Sequence, residues 1–348
     1  MNITEHIIGW QKPMLVILIL VLMPAIGLGQ NVSSSNNHGA NHGAYEKVGL
    51  PRLMFYEEYN TKSIPSAFVK LSEKTSPYLI LVDKSQQKLL LYKYDCGLHR
   101  VKTFHCTTGS KLGNKQTYGD MRTPEGIYFF TDVYEKPNLI RTYGQKEALQ
   151  FGIRAFNIDY PNEFDSIKNK EGYGIWLHGT DISERLKPTN TKGCIVLSDT
   201  DLEELTSYII LNNTPIIITK EITYKTASEL ETEYTAVTEF LEKWRRSWEN
   251  RDFSAYEQTY SRSFKSGLLN LKQWVADKKQ TLQKYSTVSI TVSDLKILKA
   301  DDYYVVVFYQ EFLAGIYSDT GIKRLYLFNN EGKLEIMSEK WEQITPFK

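Results

Sequence analysis

The sequence predicts two folded domains in series: a β-rich domain over residues 76–222 and an α+β domain over residues 226–348. A short helical segment and an apolar leader precede them. Three observations carry this reading. The length of 348 residues corresponds to two domains at roughly 150 residues each. From Tyr78 to Ile222 the chain is a succession of strand-length runs rich in branched and aromatic residues. From residue 226 a long helical pattern comes first and four strand-like runs follow, the order of an α+β unit.

The leader is residues 1–29. Met14 to Met23 are uninterruptedly apolar, Lys12 stands before them, and Gly27-Leu28-Gly29 follows as small-x-small. That is the pattern of a cleaved signal peptide, with the cut expected after Gly29 and export to the periplasm. The alternative is a membrane anchor over 14–29, but the apolar run is short of the ~20 residues that span a bilayer. Residues 30–44, rich in Ser, Asn, Gly and His, read as a flexible linker rather than a metal-binding tract, despite His38 and His42. Residues 45–75 contain short apolar-periodic pieces, among them Ser66–Leu71, and read as helical.

The first domain opens with YLILVD, KLLLYKY and VKTFHCTTG, with Asp95-Cys96-Gly97 as a turn between the second and third runs. GIYFFTDVY, GYGIWLHG, CIVLS and TPIIITKEI continue the strand texture. A helix separates the last two, with Asp199 as its expected cap and Glu203 and Glu204 in its first turns. In the second domain, Val237, Phe240, Leu241, Trp244 and Trp248 recur at spacings of three and four on one long helix. FSAYEQTYS and LLNLKQWVADKKQTLQKY read as further helices. TVSITVSDLKIL, YYVVVFYQEFLA, KRLYLFNN and KLEIMSEKWEQI read as strands, with a hairpin at Asn330-Glu331-Gly332.

Composition narrows the function. With 42 basic and 41 acidic residues, the chain lacks the bulk charge that steers a protein to nucleic acid, so no nucleic-acid partner is expected. Three cysteines, Cys96, Cys106 and Cys194, exclude a disulfide-stapled scaffold. Export permits Cys96 and Cys106 to pair, but their asymmetric placement about the 95–97 turn favours two free thiols. No HExxH string and no clustered Cys/His spacing occurs, so neither a metal nor another cofactor is expected.

One segment concentrates chemistry. Gly174-Ile175-Trp176-Leu177-His178-Gly179-Thr180 is followed by Thr191-Lys192-Gly193-Cys194-Ile195-Val196-Leu197. A strand ending in His-Gly and a second opening with Gly-Cys can bring an imidazole to a thiol, and the imidazole then takes the thiol's proton. Gly193 permits a tight approach to the nucleophile and offers the N–H groups of residues 193 and 194 to an oxyanion. The Gly179 carbonyl is the expected third member, holding the ring in one tautomer. A buried inert cysteine beside an unrelated histidine is the bland alternative, and the spacing alone slightly favours it.

These strings resemble the L,D-transpeptidase (YkuD-type) catalytic domain. The family's HG, loop, Ser/Thr-x-Gly-Cys pattern is matched by His178-Gly179 and Thr191-Lys192-Gly193-Cys194. Its TG…GD-x-x-TPEG-x-Y signature is matched by Thr108-Gly109 and Gly119-Asp120-Met121-Arg122-Thr123-Pro124-Glu125-Gly126-Ile127-Tyr128. The resemblance covers about 76–222. One position departs: many members carry Arg two residues after the cysteine, where this chain has Val196, so Lys192, Arg122, Lys111 or Arg154 would have to orient substrate. Trp176 shares a strand face with His178 and is either a groove wall or core packing.

The tail resembles the nuclear transport factor 2-like (SnoaL-like) α+β cone. The combination is similar to the cell-shape L,D-carboxypeptidases of curved and helical bacteria. The resemblance implies peptidoglycan stem peptides as substrate and a thioester at the L-centre of the third residue, diaminopimelate. Water then gives an L,D-carboxypeptidase and an amine a 3–3 cross-linking transpeptidase. A catalytically silent wall-binding or glycan-binding module and an amidase releasing wall-bound lipoprotein are the alternatives. The cone is expected to take a glycan or small molecule, and the N-terminal segment is a candidate dimerisation element.

Overall fold

The computed structural model describes residues 63–73 and 76–344. The leader, the linker and most of the 45–75 segment lie outside the described residues. Ser66–Leu71, expected to be helical, instead contains a strand. β1 (Ile64–Pro65) is followed by β2 (Phe68–Lys70), and β2 joins the edge of the second domain's sheet beside Ile297 and Leu298. A six-residue apolar piece takes whichever structure the neighbouring backbone offers, and here that is an unpaired strand edge.

The first domain begins with β3 (Tyr78–Asp83), β4 (Lys88–Tyr94) and β5 (Leu98–His105), an antiparallel meander. The expected turn sits between β4 and β5, with Cys96 at φ 51°. Next comes β6 (Gly126–Glu135), then two short helices the sequence did not announce, α1 (Lys136–Tyr143) and α2 (Gln145–Ala148). β7 (Arg154–Ile158) and α3 (Glu163–Ile167) were also unannounced; RAFNI is too short to show alternation. The 172–179 run is strand only at β8 (Trp176–His178), because Gly172 and Gly174 take φ of 114° and 68°. β9 (Ile195–Val196), α4 (Asp199–Thr206), β10 (Pro215–Thr219) and β11 (Tyr224–Lys225), which pairs β1, complete the domain. Ser198, not Asp199, caps α4: its hydroxyl accepts from the Asp201 N–H, and Asp199 lies in the first turn.

Eight strands form one sheet in the order β5-β4-β3-β10-β6-β7-β8-β9. Its edges meet: Thr107, just past β5, exchanges both backbone hydrogen bonds with Val196 of β9 at 2.9 Å. The alternation of β3 explains its unbroken apolar run. Leu79 and Leu81 face one core, while Ile80 and Val82 face another. Ile217, Ile127 and Phe129 join the first core; Ile216, Ile218, Tyr128 and Phe130 join the second.

The first core is shared with the second domain, whose residues supply most of it. α5 (Ala227–Glu249) starts at a capping box of Thr226 with Glu229, worth about 1 kcal/mol. It buries Val237, Leu241, Trp244 and Trp248 as the spacing predicts, with Phe240 partly buried. α6 (Phe253–Glu257), the hairpin of β12 (Lys265–Ser266) with β13 (Leu269–Asn270), and α7 (Leu271–Leu282) follow. β14 (Ser289–Lys299), β15 (Tyr303–Ala314), β16 (Tyr317–Asn330) and β17 (Lys333–Gln343) form the antiparallel sheet, with β2 as its fifth strand. Glu331 and Gly332, with φ of 51° and 90°, make the two-residue turn between β16 and β17. Tyr303 locks the domains together. Its ring stacks on Phe164 at 4.1 Å, and its hydroxyl accepts from the Ile127 N–H at 2.7 Å.

Among the described residues no helix is long and apolar enough to cross a membrane.

Candidate active site

β8 and β9 run parallel, pairing Leu177 with Ile195 and His178 with Val196. Continued by one residue, this register sets Cys194 beside Trp176, so His178 and Cys194 are diagonal neighbours on one face. Their strands contribute Leu177 and Ile195 to the second core, on the face of the main sheet turned away from the second domain.

The imidazole is buried, and its Nδ1 lies 2.9 Å from the Gly179 carbonyl oxygen. A carbonyl only accepts, so Nδ1 carries the proton and Nε2 is left as a base. The Gly179 carbonyl is itself fixed. Its N–H donates to the Arg154 carbonyl at 3.2 Å, and a Cβ on Gly179 would stand 2.1 Å from Asp199 Oδ1. Asp199, misread as a cap, accepts from the Ile153 N–H at 3.1 Å and packs the Gly152 and Gly179 turns against each other. Burial pulls the His178 pKa down to about 4, the Gly179 carbonyl opposes this, and the Arg185 charge adds to it.

The Cys194 thiol points at the Gly174 carbonyl, 3.7 Å away. Burial raises its pKa, while the Trp176 backbone N–H and the charges of Arg185 and Lys115 pull the other way. Both shifts favour the uncharged forms, a neutral thiol beside a neutral imidazole.

The approach to the thiol is built by short bonds. Gly193 takes φ 130°, and a Cβ there would meet the Arg122 carbonyl oxygen at 2.8 Å. Thr123 Oγ1 donates to the Gly193 carbonyl at 2.9 Å and accepts from the Gly109 N–H at 2.8 Å, joining the two sequence signatures. Thr191 Oγ1 donates to the Cys194 carbonyl at 2.7 Å and accepts from the Gly193 N–H at 3.0 Å. The Gly193 N–H is thus already occupied, and of the two donors expected for an oxyanion only that of Cys194 remains. Asp120 organises the 110–125 loop. Its carboxylate pairs with Lys115 at 2.8 Å, accepts from the N–H groups of Gln116, Thr117 and Arg122, and is held down to about 2.

Trp176 is half-buried, stacked on Tyr134 at 5.3 Å and beside Phe151, whose ring meets His178 edge-on at 5.4 Å. It belongs to a satellite core with Leu139 and Ala155, so it is packing and wall at once. Val196 is buried, and its backbone is paired with Thr107.

The cations named as substitutes are differently placed. Arg154 is tied to Glu135, Glu203 and Thr206. Lys192 and Lys111 are exposed. Arg122 is half-buried, its Nε without a hydrogen-bond partner among the described residues. The residue that sequence reasoning missed is Arg185. It sits in the turn Ser183–Leu186 of the loop joining His178 to Cys194, half-buried, with no side-chain partner among the described residues. A loop tied at both ends to the candidate pair keeps its cations near that pair, and this was the available signal. The thiols of Cys96, exposed, and Cys106, buried, are free. In the second domain a cavity of about 320 Å³ is lined by Trp248, Trp274, Lys278, Gln310, Lys323 and Trp341.

Residues 77–218 match the YkuD L,D-transpeptidase catalytic domain, and residues 236–340 match the Cds6 C-terminal NTF2-like domain. The structure of Bd1075 from Bdellovibrio bacteriovorus superposes with a TM-score of 0.70 at 30% identity, covering 82% of this chain and 100% of that one. A variant of the helical cell shape determining protein Pgp2 from Campylobacter jejuni gives 0.61 at 25% identity, over 79% of this chain and 94% of that one. YafK of Escherichia coli is 22% identical over 193 residues, 56% of this chain and 62% of the YafK sequence. The chain belongs to the L,D-transpeptidase family, its YkuD-type catalytic domain followed by a C-terminal NTF2-like domain.

Proposed function

We propose that this protein is an exported peptidoglycan-modifying cysteine enzyme that removes D-alanine from tetrapeptide stems. The observation that carries the reading is the bond between His178 Nδ1 and the Gly179 carbonyl at 2.9 Å, which leaves Nε2 basic on the strand next to Cys194. Cys194 Sγ attacks the carbonyl carbon of the third stem residue as its proton passes to His178 Nε2. The oxyanion forms beside the Cys194 N–H. The C–N bond then breaks, the departing D-alanine amine takes the proton from His178, and a thioester remains. Water, deprotonated by His178, attacks the thioester, releasing a tripeptide acid and restoring the thiol. An amine from a second stem attacking the same thioester gives a 3–3 cross-link instead.

Hydrolysis is favoured by the order of the two domains, which resembles that of the cell-shape L,D-carboxypeptidases, and a role in cell shape is supported by the likeness to Pgp2, described as a helical cell shape determining protein. A ligand of the second domain, glycan or small molecule, would occupy the tryptophan-lined cavity.

The test is mass spectrometry of a purified tetrapeptide muropeptide incubated with the mature protein and with Cys194→Ala. Loss of one D-alanine with the wild type alone supports the carboxypeptidase; a cross-linked dimer supports the transpeptidase. No change with either protein, together with no acylation of Cys194 by a carbapenem, overturns the catalytic reading in favour of a binding module. Acylation without turnover redirects it to another acyl donor, such as wall-bound lipoprotein.

A further inference from the structure

Two exposed tyrosines have no core to fill, and one of them adjoins Gly174 beside the thiol. Tyr118 is 69% exposed and Tyr173 is 63% exposed, yet their rings pair at 5.5 Å with an interplanar angle of 31°. They come from different loops, and both loops are fixed. The Tyr118 loop is held by the Asp120 carboxylate, which takes the N–H groups of Gln116, Thr117 and Arg122. The Tyr173 loop is held to it by the Glu171 N–H, which donates to the Gln116 carbonyl at 2.8 Å. Tyr173 lies between Gly172 and Gly174, whose φ of 114° and 68° turn the chain outward there. Gly174 is also the residue whose carbonyl faces the Cys194 thiol at 3.7 Å.

We propose that Tyr118 and Tyr173 form a stacking platform for an amino-sugar ring of the glycan strand that carries the stem, so that the enzyme takes glycan-linked stems in preference to free peptides. This rests on the proposed stem-peptide chemistry at Cys194. Geometry favours a sugar. The scissile carbonyl belongs to the third stem residue, and an extended stem, counting its γ-linked second residue and the lactyl ether, places the sugar on the order of 10–15 Å back. Tyr173 is next in sequence to Gly174, and adding the reach of a tyrosine side chain keeps its ring within about 15 Å of the thiol. The chemistry agrees. A pyranose offers a face of C–H groups to an aromatic ring and hydroxyls to a phenol, and a rigid exposed pair costs little entropy to use.

The experiment compares the free tetrapeptide with the same tetrapeptide on its disaccharide, using the full mature chain, Tyr118→Ala/Tyr173→Ala and Tyr118→Phe/Tyr173→Phe. The wild type is expected to show the lower KM on the disaccharide substrate. The alanine pair is expected to lose that preference by about 3–10-fold, the worth of one aromatic contact, and the phenylalanine pair to keep it. In parallel, peptide-free disaccharide is titrated by NMR into the Cys194→Ala protein with and without the tyrosine pair. Weak binding that disappears with the pair supports the platform even if neither substrate turns over, an outcome that would sink the D-alanine reading alone. Equal KM values for the two substrates in the wild type, or unchanged disaccharide binding in the alanine pair, overturns the platform.

Discussion

The ring of His178 donates from Nδ1 to the carbonyl oxygen of Gly179 at 2.9 Å, and a Cβ on Gly179 would collide with Asp199. A backbone carbonyl therefore does the orienting that a carboxylate does in other triads, and it does so without adding charge. The imidazolium gains no anionic neighbour, which fits a His178 pKa drawn down to about 4 by burial.

The pH profile follows with its sign. His178 must be neutral to accept the thiol proton, so kcat/KM is expected to hold down to about pH 5 and to fall through pH 4. At pH 5 about nine-tenths of the imidazole is neutral, against about three per cent for an unperturbed histidine. Arg185→Gln removes a charge that lowers the His178 pKa and favours the Cys194 thiolate. The acid limb should move to higher pH, and activity at pH 7 should fall roughly fivefold, the scale of a ~1 kcal/mol charge interaction at a half-exposed site. An acid limb near 6.5 in the wild type would contradict the buried neutral pair.

Gly193→Ala should be more damaging than its size suggests. The residue sits at φ 130°, and the new Cβ would lie 2.8 Å from the Arg122 carbonyl oxygen, which is backbone and cannot swing away. A stability loss of about 1–3 kcal/mol is expected, with activity down by about 10²-fold as Cys194 is displaced. Gly332→Ala, at φ 90° with nothing within 4 Å, is the control. It should cost about 1–2 kcal/mol by chirality alone and leave turnover intact. Urea titration with steady-state rates distinguishes the two.

Lys296 tests the join between the domains. Its ammonium is buried and donates to the Ser76 carbonyl at 2.9 Å, and burial, helped by Arg324, lowers its pKa to about 7. Between that value and the unfolded 10.5 the unfolded chain holds more protons, so this group makes stability rise as pH increases from 7 and contributes no slope below it. Lys296→Met should flatten that rise and raise stability at pH 7 by about 1–3 kcal/mol. Thermal melts at pH 7 and pH 9.5 check both statements. A variant that melts lower at pH 7 would mean that the Ser76 contact outweighs the desolvation cost.

Periodicity and punctuation made much of this molecule legible in its sequence. α5 could be read because Val237, Leu241, Trp244 and Trp248 keep one helical face, and the β16–β17 hairpin because Glu331-Gly332 favours positive φ. The His-Gly and Gly-Cys strings located the site because glycines are required where backbones touch, as Gly179 and Gly193 do with Asp199 and Arg122. Short-range pattern could not reveal what depends on a distant partner. Phe68–Lys70 is a strand only because β14 offers an open edge, and Val196 is buried only because Thr107 crosses to close the sheet. Asp199 looks like a cap beside Ser198 and instead supports the Gly179 turn. The sequence by itself determined the two domains, their order and the candidate pair of His178 and Cys194, since these rest on local spacing. Only the tertiary structure decided the protonation state of that pair, the occupied N–H of Gly193, the place of Arg185 and the shared core, because burial and close approach join residues far apart in the chain.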